Sequence, residues 1–322
     1  MKNLKIIKRV ALGVLIAVVA IALVLQVGVT VRYWDFFKNS KINFMVPGLF
    51  DDFVPQGFEY IENLDAYLIS GYMADGSASR VYVRDTNGDT IYGTLYNQDG
   101  TPYTGHAGGI CTNGLYAYFP GERGVDVFSL YDIVRGSAKC MGTIEIGYRV
   151  DFCSYVNDYL LVGNFQYDDH YATPEYQHIT TPAGDENKGL ITVYKTSEKA
   201  VFNIEPTPVA SFSIREKVQG VCVTDDKQII LSTSWGTSDS VLYVYDLDTA
   251  RSGVIATVSG TTPLYYLDSA NLVKTIVAPP MAEELVYRDG RVLIMNESSS
   301  NKYIFGRFIR GSWVYGYDLS AE

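Results

Sequence analysis

One short sequence pattern occurs five times in this chain and constrains its fold more than any other feature. The copies are QGFEY at 56–60, GGICT at 108–112, VDFCS at 150–154, QGVCV at 219–223 and EELVY at 283–287. Each copy is followed by a polar turn and a second apolar segment, and a third apolar segment follows. Apolar runs bounded by Gly, Asn and Asp turns indicate β-strands. Four-stranded antiparallel units that recur at roughly 40 to 70 residues are typical of β-propeller blades.

The pattern therefore predicts an all-β, five-bladed β-propeller. The fifth unit stops after its third strand, and we expect the strand-like segment 41–46 to supply the missing outer strand and close the ring. A six-bladed ring is also compatible with the sequence, because residues 249–280 are long enough to contain extra strands. A β-sandwich is the competing all-β fold, but a sandwich does not explain five copies of one motif.

The N-terminal segment indicates a membrane helix. Every residue from position 10 to position 25 is apolar or glycine, and residues 10–31 would span ~33 Å as a helix, enough for a bilayer core. Basic residues precede the run, so we expect a cytoplasmic tail at 1–9, a signal anchor at 10–31 and a linker at 32–40. The propeller domain, 41–322, would then lie outside the cell as the extracellular part of a single-pass membrane protein. A cleaved signal peptide is the alternative, with an A-x-A-like site at 20–22.

Charge and cysteine content exclude several classes of protein. The formal net charge is −10, although the first thirty residues are basic, so the body is strongly acidic. An acidic body argues against nucleic acid as a partner. Cys111, Cys153 and Cys222 occupy the same position in three copies of the motif, where a small apolar residue would pack between blades. We therefore expect buried free thiols rather than a disulfide framework.

Several of these segments together resemble a known group of proteins. The segments are HAGGI at 106–110, QGV at 219–221, PPMAEE at 279–284 and NESSSNKY at 296–303. In order and spacing they resemble uncharacterised exported β-propeller-like proteins of Gram-positive bacteria, over about residues 54–319. The resemblance implies the fold and an extracytoplasmic location. It implies no catalytic residues, because that group has no settled biochemical activity.

Propeller topology predicts where a binding site lies. The first strand of each blade starts at the face that also carries the loop between the second and third strands. Residues far apart in sequence should therefore meet on one rim. The candidates at strand starts are Gln56, His106, Arg149, Gln219 and Glu284, and those on loops are Tyr167, His170, Tyr171, His178 and Trp235. The loop 164–188 is longer than a usual connection, which favours a role as a lid or wall.

A binding module is the function that this rim favours, with a glycan, a peptide or an envelope protein as ligand. The rim offers aromatic and polar groups but no matched catalytic set. Glycoside hydrolase or lyase chemistry is the alternative, and its candidate carboxyl groups are Asp151, Glu283 and Glu297. A purely structural module is the third class.

The sequence contains no established metal motif, since HExxH and EF-hand patterns are absent from it. No cofactor is therefore predicted. A Ca²⁺ ion in the central channel and a histidine-bound metal at the long loop are weaker alternatives, because both places are rich in carboxylate and imidazole groups.

Overall fold

The computed structural model describes residues 2–321. The chain begins with helix α1 (Lys2–Arg32), followed by the short helix α2 (Trp34–Lys38) and strand β1 (Ser40–Met45). The part of α1 from Lys5 to Arg32 is long and apolar enough to cross a membrane, and its apolar stretch is exposed. Residues 34–38 of the predicted linker form α2, whose Phe36 is buried against Tyr315 and Tyr317.

The rest of the chain is mostly strand. The first unit contains β2 (Phe53–Ile61), β3 (Ala66–Met73), β4 (Arg80–Asp85) and β5 (Thr90–Tyr96). The second contains β6 (Cys111–Thr112), β7 (Tyr116–Gly121), β8 (Gly124–Ser129), helix α3 (Leu130–Val134) and β9 (Ser137–Glu145). The third contains β10 (Phe152–Val156), β11 (Tyr159–Gly163), the small hairpin β12 (Ile179–Thr180) and β13 (Glu186–Asn187), then β14 (Gly189–Thr196) and β15 (Ile204–Ile214).

The fourth unit contains β16 (Val218–Val223), β17 (Gln228–Thr233) and β18 (Ser240–Asp246), then the hairpin β19 (Ser252–Thr257) and β20 (Gly260–Tyr266), and β21 (Leu272–Ala278). The fifth contains β22 (Ala282–Arg288), β23 (Arg291–Asn296) and β24 (Trp313–Asp318). Short 3₁₀ turns occur at Glu62–Leu64, Glu175–Gln177, Val201–Asn203 and Ile304–Phe308.

These strands form the predicted all-β propeller. Strand order within the units is β2-β3-β4-β5, β6-β7-β8-β9, β10-β11-β14-β15, β16-β17-β18-β21 and β22-β23-β24-β1. The innermost strands β2, β6, β10, β16 and β22 each contact the next, and β22 contacts β2, so the ring is closed. Each copy of the five-residue motif contributes to one of these innermost strands.

Strand β1 closes the ring as the sequence predicts. It pairs antiparallel with β24, from Ser40 opposite Tyr317 to Met45 opposite Trp313. The segment 249–280 does not form a further unit among the described residues. Its hairpin β19–β20 attaches to the outer edge of the third unit through a parallel pairing of β20 with β15, and β21 completes the fourth unit.

Apolar side chains fill the spaces between adjacent units. Five buried clusters lie between successive pairs of units, including the pair formed by the fifth and the first. Cys111, Cys153 and Cys222 are buried free thiols, as expected. The inner strands also approach one another closely. A Cβ on Gly220 would lie 2.6 Å from Glu284 Cα, and one on Gly57 would lie 2.5 Å from the Gly109 carbonyl carbon. Glycine in the motif therefore permits the ring to close.

Candidate functional site

A large cavity of about 810 Å³ opens at one face of the ring. We call this the upper face, defined by the starts of β2, β6, β10, β16 and β22. Successive strands in a unit are antiparallel, so the loops between second and third strands reach the same face. Many predicted rim and catalytic candidates line the cavity: Gln56, His106, Arg149, Asp151, Tyr171, Gln219, Trp235, Glu283 and Glu297.

Local irregularities in three inner strands orient part of this lining. The pairing register shifts between Pro55 and Gly57 in β2, between Val218 and Gly220 in β16, and between Ala282 and Leu285 in β22. The extra residues at these β-bulges include Gln56, Gln219 and Glu283, which all line the cavity. A bulge re-aims the side chain of its extra residue, and bulges are common beside functional sites.

Two glutamates at the cavity each accept a hydrogen bond from a glutamine. Gln56 Nε2 donates to Glu297 Oε2 at 2.7 Å, and Gln219 Nε2 donates to Glu283 Oε1 at 3.4 Å. Burial raises the pKa of Glu297 to about 7, although Gln56 and Lys302 oppose the shift. Burial also raises the pKa of Glu283 well above its usual range, and the neighbouring carboxyls of Glu297 and Glu284 add to this. The surroundings of Glu283 therefore favour its protonated form, and Glu297 can titrate near neutral pH.

His106 lies beside these carboxyl groups. Its ring stacks on that of Tyr72, with centroids 4.6 Å apart, and the Tyr72 hydroxyl accepts a hydrogen bond from Lys302 Nζ at 2.6 Å. Burial, aided by the charge of Lys302, lowers the pKa of His106 to about 4. The imidazole is therefore neutral at physiological pH and offers one donor and one acceptor to the cavity.

Asp151 is held by an ion pair on the opposite side of the lining. Arg149 Nε donates to its Oδ1 at 2.8 Å and Nη2 donates to Oδ2 at 3.2 Å. The backbone N–H of Phe165 donates to Oδ2 at 2.7 Å. Burial raises the pKa of Asp151, and Arg149 opposes that shift. These contacts fix the entrance to the long loop, since Phe165 is its second residue.

An aromatic cluster forms one side of the cavity. Trp235 contacts Tyr167 at 4.2 Å between ring centroids, and Phe165 and Tyr171 each at 5.8 Å. Arg149 lies over the Tyr171 ring at 5.2 Å. The loop of the third unit and the Trp235 loop of the fourth unit thus build one aromatic surface.

Other predicted rim residues lie outside the cavity lining. Tyr167 packs behind Trp235, and His170 is exposed at the tip of the long loop. His178 is exposed, and its Nε2 shares a hydrogen bond with Thr173 Oγ1 at 3.0 Å. Glu284 is buried inside the ring, where its Oε2 accepts hydrogen bonds from the backbone N–H groups of Phe58 and Ile110, both at 2.9 Å.

The cavity lining also includes residues beyond the named candidates. Tyr303 comes from the loop between β23 and β24, one of the loops that the topology predicts at the rim, and Tyr103 comes from the connection between the first and second units. Asp126 lies on β8, where it accepts hydrogen bonds from Tyr103 at 3.2 Å and Thr143 at 2.7 Å. Tyr103 lies away from the strand starts and from the loops between second and third strands. Only the polar composition of 97–105 could have pointed to it.

Within residues 2–321, no group of three or more His, Cys, Asp or Glu side chains is arranged to hold a metal ion. The three histidines lie apart, because His170 and His178 are on the exposed part of the long loop and His106 is inside the cavity. The expectation of Ca²⁺ in the channel stays a prediction.

Comparison with known proteins identifies no family, since no family model and no curated protein matches the chain. A putative oxidoreductase (glucose dehydrogenase) from Thermus thermophilus is similar in structure, with a TM-score of 0.45 and 12% identity over 86% of this chain and 98% of that chain. Hydrazine synthase of Kuenenia stuttgartiensis gives 0.39 and 12% over 76% of this chain and 55% of that chain. BamB from Moraxella catarrhalis gives 0.30 and 9% over 80% and 68%. At this similarity no ligand or activity is transferred, and the fold assignment rests on the strand order described above.

Proposed function

We propose that this chain is a membrane-anchored, extracellular binding module whose cavity at the upper face holds a glycan segment. The observation that carries the proposal is one cavity with an aromatic side and a polar floor. Phe165, Tyr171 and Trp235 supply the aromatic side, and the floor includes Glu283 and Glu297. Sugar rings present apolar faces to aromatic rings and hydroxyl groups to hydrogen-bonding side chains.

The protonation states of the floor favour a neutral, polyhydroxylated ligand. A protonated carboxyl, a neutral imidazole and two primary amides are all both donors and acceptors. Glu283, His106, Gln56 and Gln219 provide these groups around one volume. A peptide or the surface of an envelope protein is the competing ligand, and the test below discriminates among them.

The proposed topology follows from the N-terminal segment. α1 would act as a single-pass signal anchor, with residues 1–9 in the cytoplasm and the propeller outside. Supporting this orientation, the basic residues precede the apolar run.

A glycan array probed with the purified full chain in detergent micelles tests the proposal. We expect retention of a defined set of oligosaccharides, and Trp235→Ala should weaken binding at least tenfold, about 1.4 kcal/mol. The triple substitution of Tyr167, Tyr171 and Trp235 by Ala should abolish retention. Leu115→Ala is the matched control, because Leu115 is 64% exposed in the turn between β6 and β7 at the opposite face.

Retention by the triple variant equal to that of the unaltered chain would show that the cavity is not the binding site. If the unaltered chain binds peptides but not oligosaccharides, and the triple variant loses this binding, the ligand is a peptide that binds in the same cavity.

Hydrolysis of a glycosidic bond is the second candidate. It is favoured by one observation, the pKa of about 7 that burial gives Glu297, which suits a general acid. Assay of the full chain on a panel of polysaccharides, with Glu283→Gln and Glu297→Gln, tests it. If the chain hydrolyses glycosidic bonds, we expect turnover that each of the two substitutions reduces at least a hundredfold. Turnover that neither substitution changes, or none on any substrate, would exclude it.

A further inference from the structure

All three tryptophans of the chain lie at the upper face of the ring. Trp235 is in the loop between β17 and β18, and Trp313 is at the upper end of β24. Trp34 begins α2 directly after Tyr33, whose hydroxyl bonds to Asp239 of the Trp235 loop. Their exposed fractions are 38%, 36% and 58%, which is high for the largest apolar side chain. Trp235 is exposed because it lines the cavity, whereas Trp34 and Trp313 do not line it. Their exposure therefore needs another explanation.

The end of α1 is fixed at this same face. Arg32 Nη2 donates to both oxygens of Asp239 at 2.8 Å, and the Tyr33 hydroxyl donates to Asp239 Oδ1 at 2.6 Å. Asp239 belongs to the loop that carries Trp235. The chain then descends along the fifth unit, where Phe36 packs on Tyr317, and returns upward as β1. An apolar helix thus leaves the body at the face that holds the tryptophans and the cavity mouth.

Two more exposed apolar side chains lie around the exit of the helix. Phe50, 66% exposed, is in the turn between β1 and β2, and Ile304, 54% exposed, is in the 3₁₀ turn that contacts α1. Cations accompany them, since Arg307 lies over the Phe50 ring at 4.6 Å and Arg310 lies over the Phe37 ring at 5.1 Å. Exposed tryptophans, together with cations that lie over neighbouring phenylalanine rings, are typical of a membrane–water interface when they lie next to the end of an apolar helix.

We propose that the tryptophan face, defined as Trp34, Phe50, Trp235, Ile304 and Trp313, rests on the lipid surface that α1 enters. The partner is the headgroup region of the bilayer. The local cations suit lipid phosphates, although the body as a whole is acidic. The cavity mouth then opens toward the membrane, so the ligand must lie at the membrane surface. This inference rests on the membrane anchoring in the proposed function.

Tryptophan fluorescence of the unaltered full chain in phosphatidylcholine nanodiscs tests the proposal. Lipids spin-labelled near the top of the acyl chain quench tryptophans within the interface. We expect at least half of the emission to be quenched, and quenching should persist when Trp34 or Trp313 is the only tryptophan left, the others being changed to Phe. The control places the probe at the opposite face by Leu115→Trp in a chain whose native tryptophans are Phe, and we expect quenching there to be at least fivefold weaker.

A disruptive pair of variants gives an independent measurement. Phe50→Ser with Ile304→Ser should reduce the quenching of Trp34 at least twofold. The matched pair Leu115→Ser with Val201→Ser, which alters apolar residues that are 64% and 75% exposed at the opposite face, should leave quenching unchanged.

Equal quenching at the two faces, or none at either, overturns the docking of the tryptophan face. Extraction at alkaline pH separates that outcome from a failure of anchoring. A chain that stays with the lipid but shows no quenching is anchored and stands away from the bilayer. A chain released by the extraction is not anchored, and both proposals then fail.

Discussion

Substitution of Glu284 tests the reasoning about how the ring closes. In the motif alignment this residue occupies the column of Gly57, Gly109 and Gly220, and its Oε1 would lie 3.2 Å from a Cβ on Gly109. Its Oε2 accepts the backbone N–H groups of Phe58 in the first unit and Ile110 at the start of the second. One carboxyl thus links three units at the centre of the propeller.

The magnitude follows from those two hydrogen bonds. Glu284→Ala leaves both buried N–H groups without an acceptor, at about 1–3 kcal/mol each, so the free energy of unfolding should fall by about 2–6 kcal/mol. Glu284→Leu keeps most of the volume and also removes the acceptor, so it should cost a similar amount. Glu284→Gln retains an oxygen at that position and should cost about 1 kcal/mol or less. Burial raises the pKa of Glu284 well above its usual range, which favours the neutral form that the amide imitates.

Urea denaturation of the full chain in detergent micelles, followed by tryptophan fluorescence, measures these differences. With a slope of about 3 kcal/mol/M, a loss of about 4 kcal/mol lowers the midpoint by roughly 1.3 M. A midpoint for Glu284→Ala within about 0.2 M of the unaltered chain would refute the argument, because water would then replace the carboxyl. A loss for Glu284→Gln as large as that for Glu284→Ala would show that charge, not acceptor geometry, matters.

Three further predictions concern ring closure and the cavity. Phe44→Ala in the closing strand should lower the free energy of unfolding by about 3–5 kcal/mol in the same urea assay, because this ring packs on Tyr67 of the first unit with centroids 4.8 Å apart. The control is Ile42→Ala in the same strand. Because Ile42 is 56% exposed, its substitution should change the free energy of unfolding by about 0.5 kcal/mol or less. Gly220→Ala should destabilise the fold in a thermal melt, and a melting temperature equal to that of the unaltered chain would contradict the close approach of β16 and β22. The pKa of Glu297 rises from 4.5 to about 7 on folding, so the folded state binds more protons than the unfolded state between these pH values and loses stability as the pH rises. Glu297→Gln should therefore flatten the dependence of the free energy of unfolding on pH between 4.5 and 7. An unchanged dependence in this variant would contradict the prediction.

The sequence predicted the fold well because propeller units are built from local signals. Alternating apolar residues and glycine or aspartate turns specify strands, and recurrence of the motif specifies their grouping. Even the long-range pairing of β1 with β24 could be predicted, since the fifth unit lacked one strand and residues 41–46 were available. Topology then placed Gln56, Gln219 and Trp235 at one face.

The detailed site could not be predicted in the same way. Glu283 and Glu284 are adjacent in the motif, yet one lines the cavity and the other bonds to two neighbouring units. Their separation depends on a bulge in β22, and no local pattern signals that bulge. Tyr103 reaches the cavity from the connection between the first and second units, and its hydroxyl donates to Asp126 of β8.

The order of the strands, the apolar helix and the face that collects the polar loops could be predicted from the sequence, because each depends on local periodicity and composition. Tertiary packing sets which of the two adjacent glutamates lines the cavity, which pKa values are perturbed and where α1 leaves the body. Those properties arise from contacts between residues of different units, such as Arg32 with Asp239, and these contacts exist only once the ring has closed.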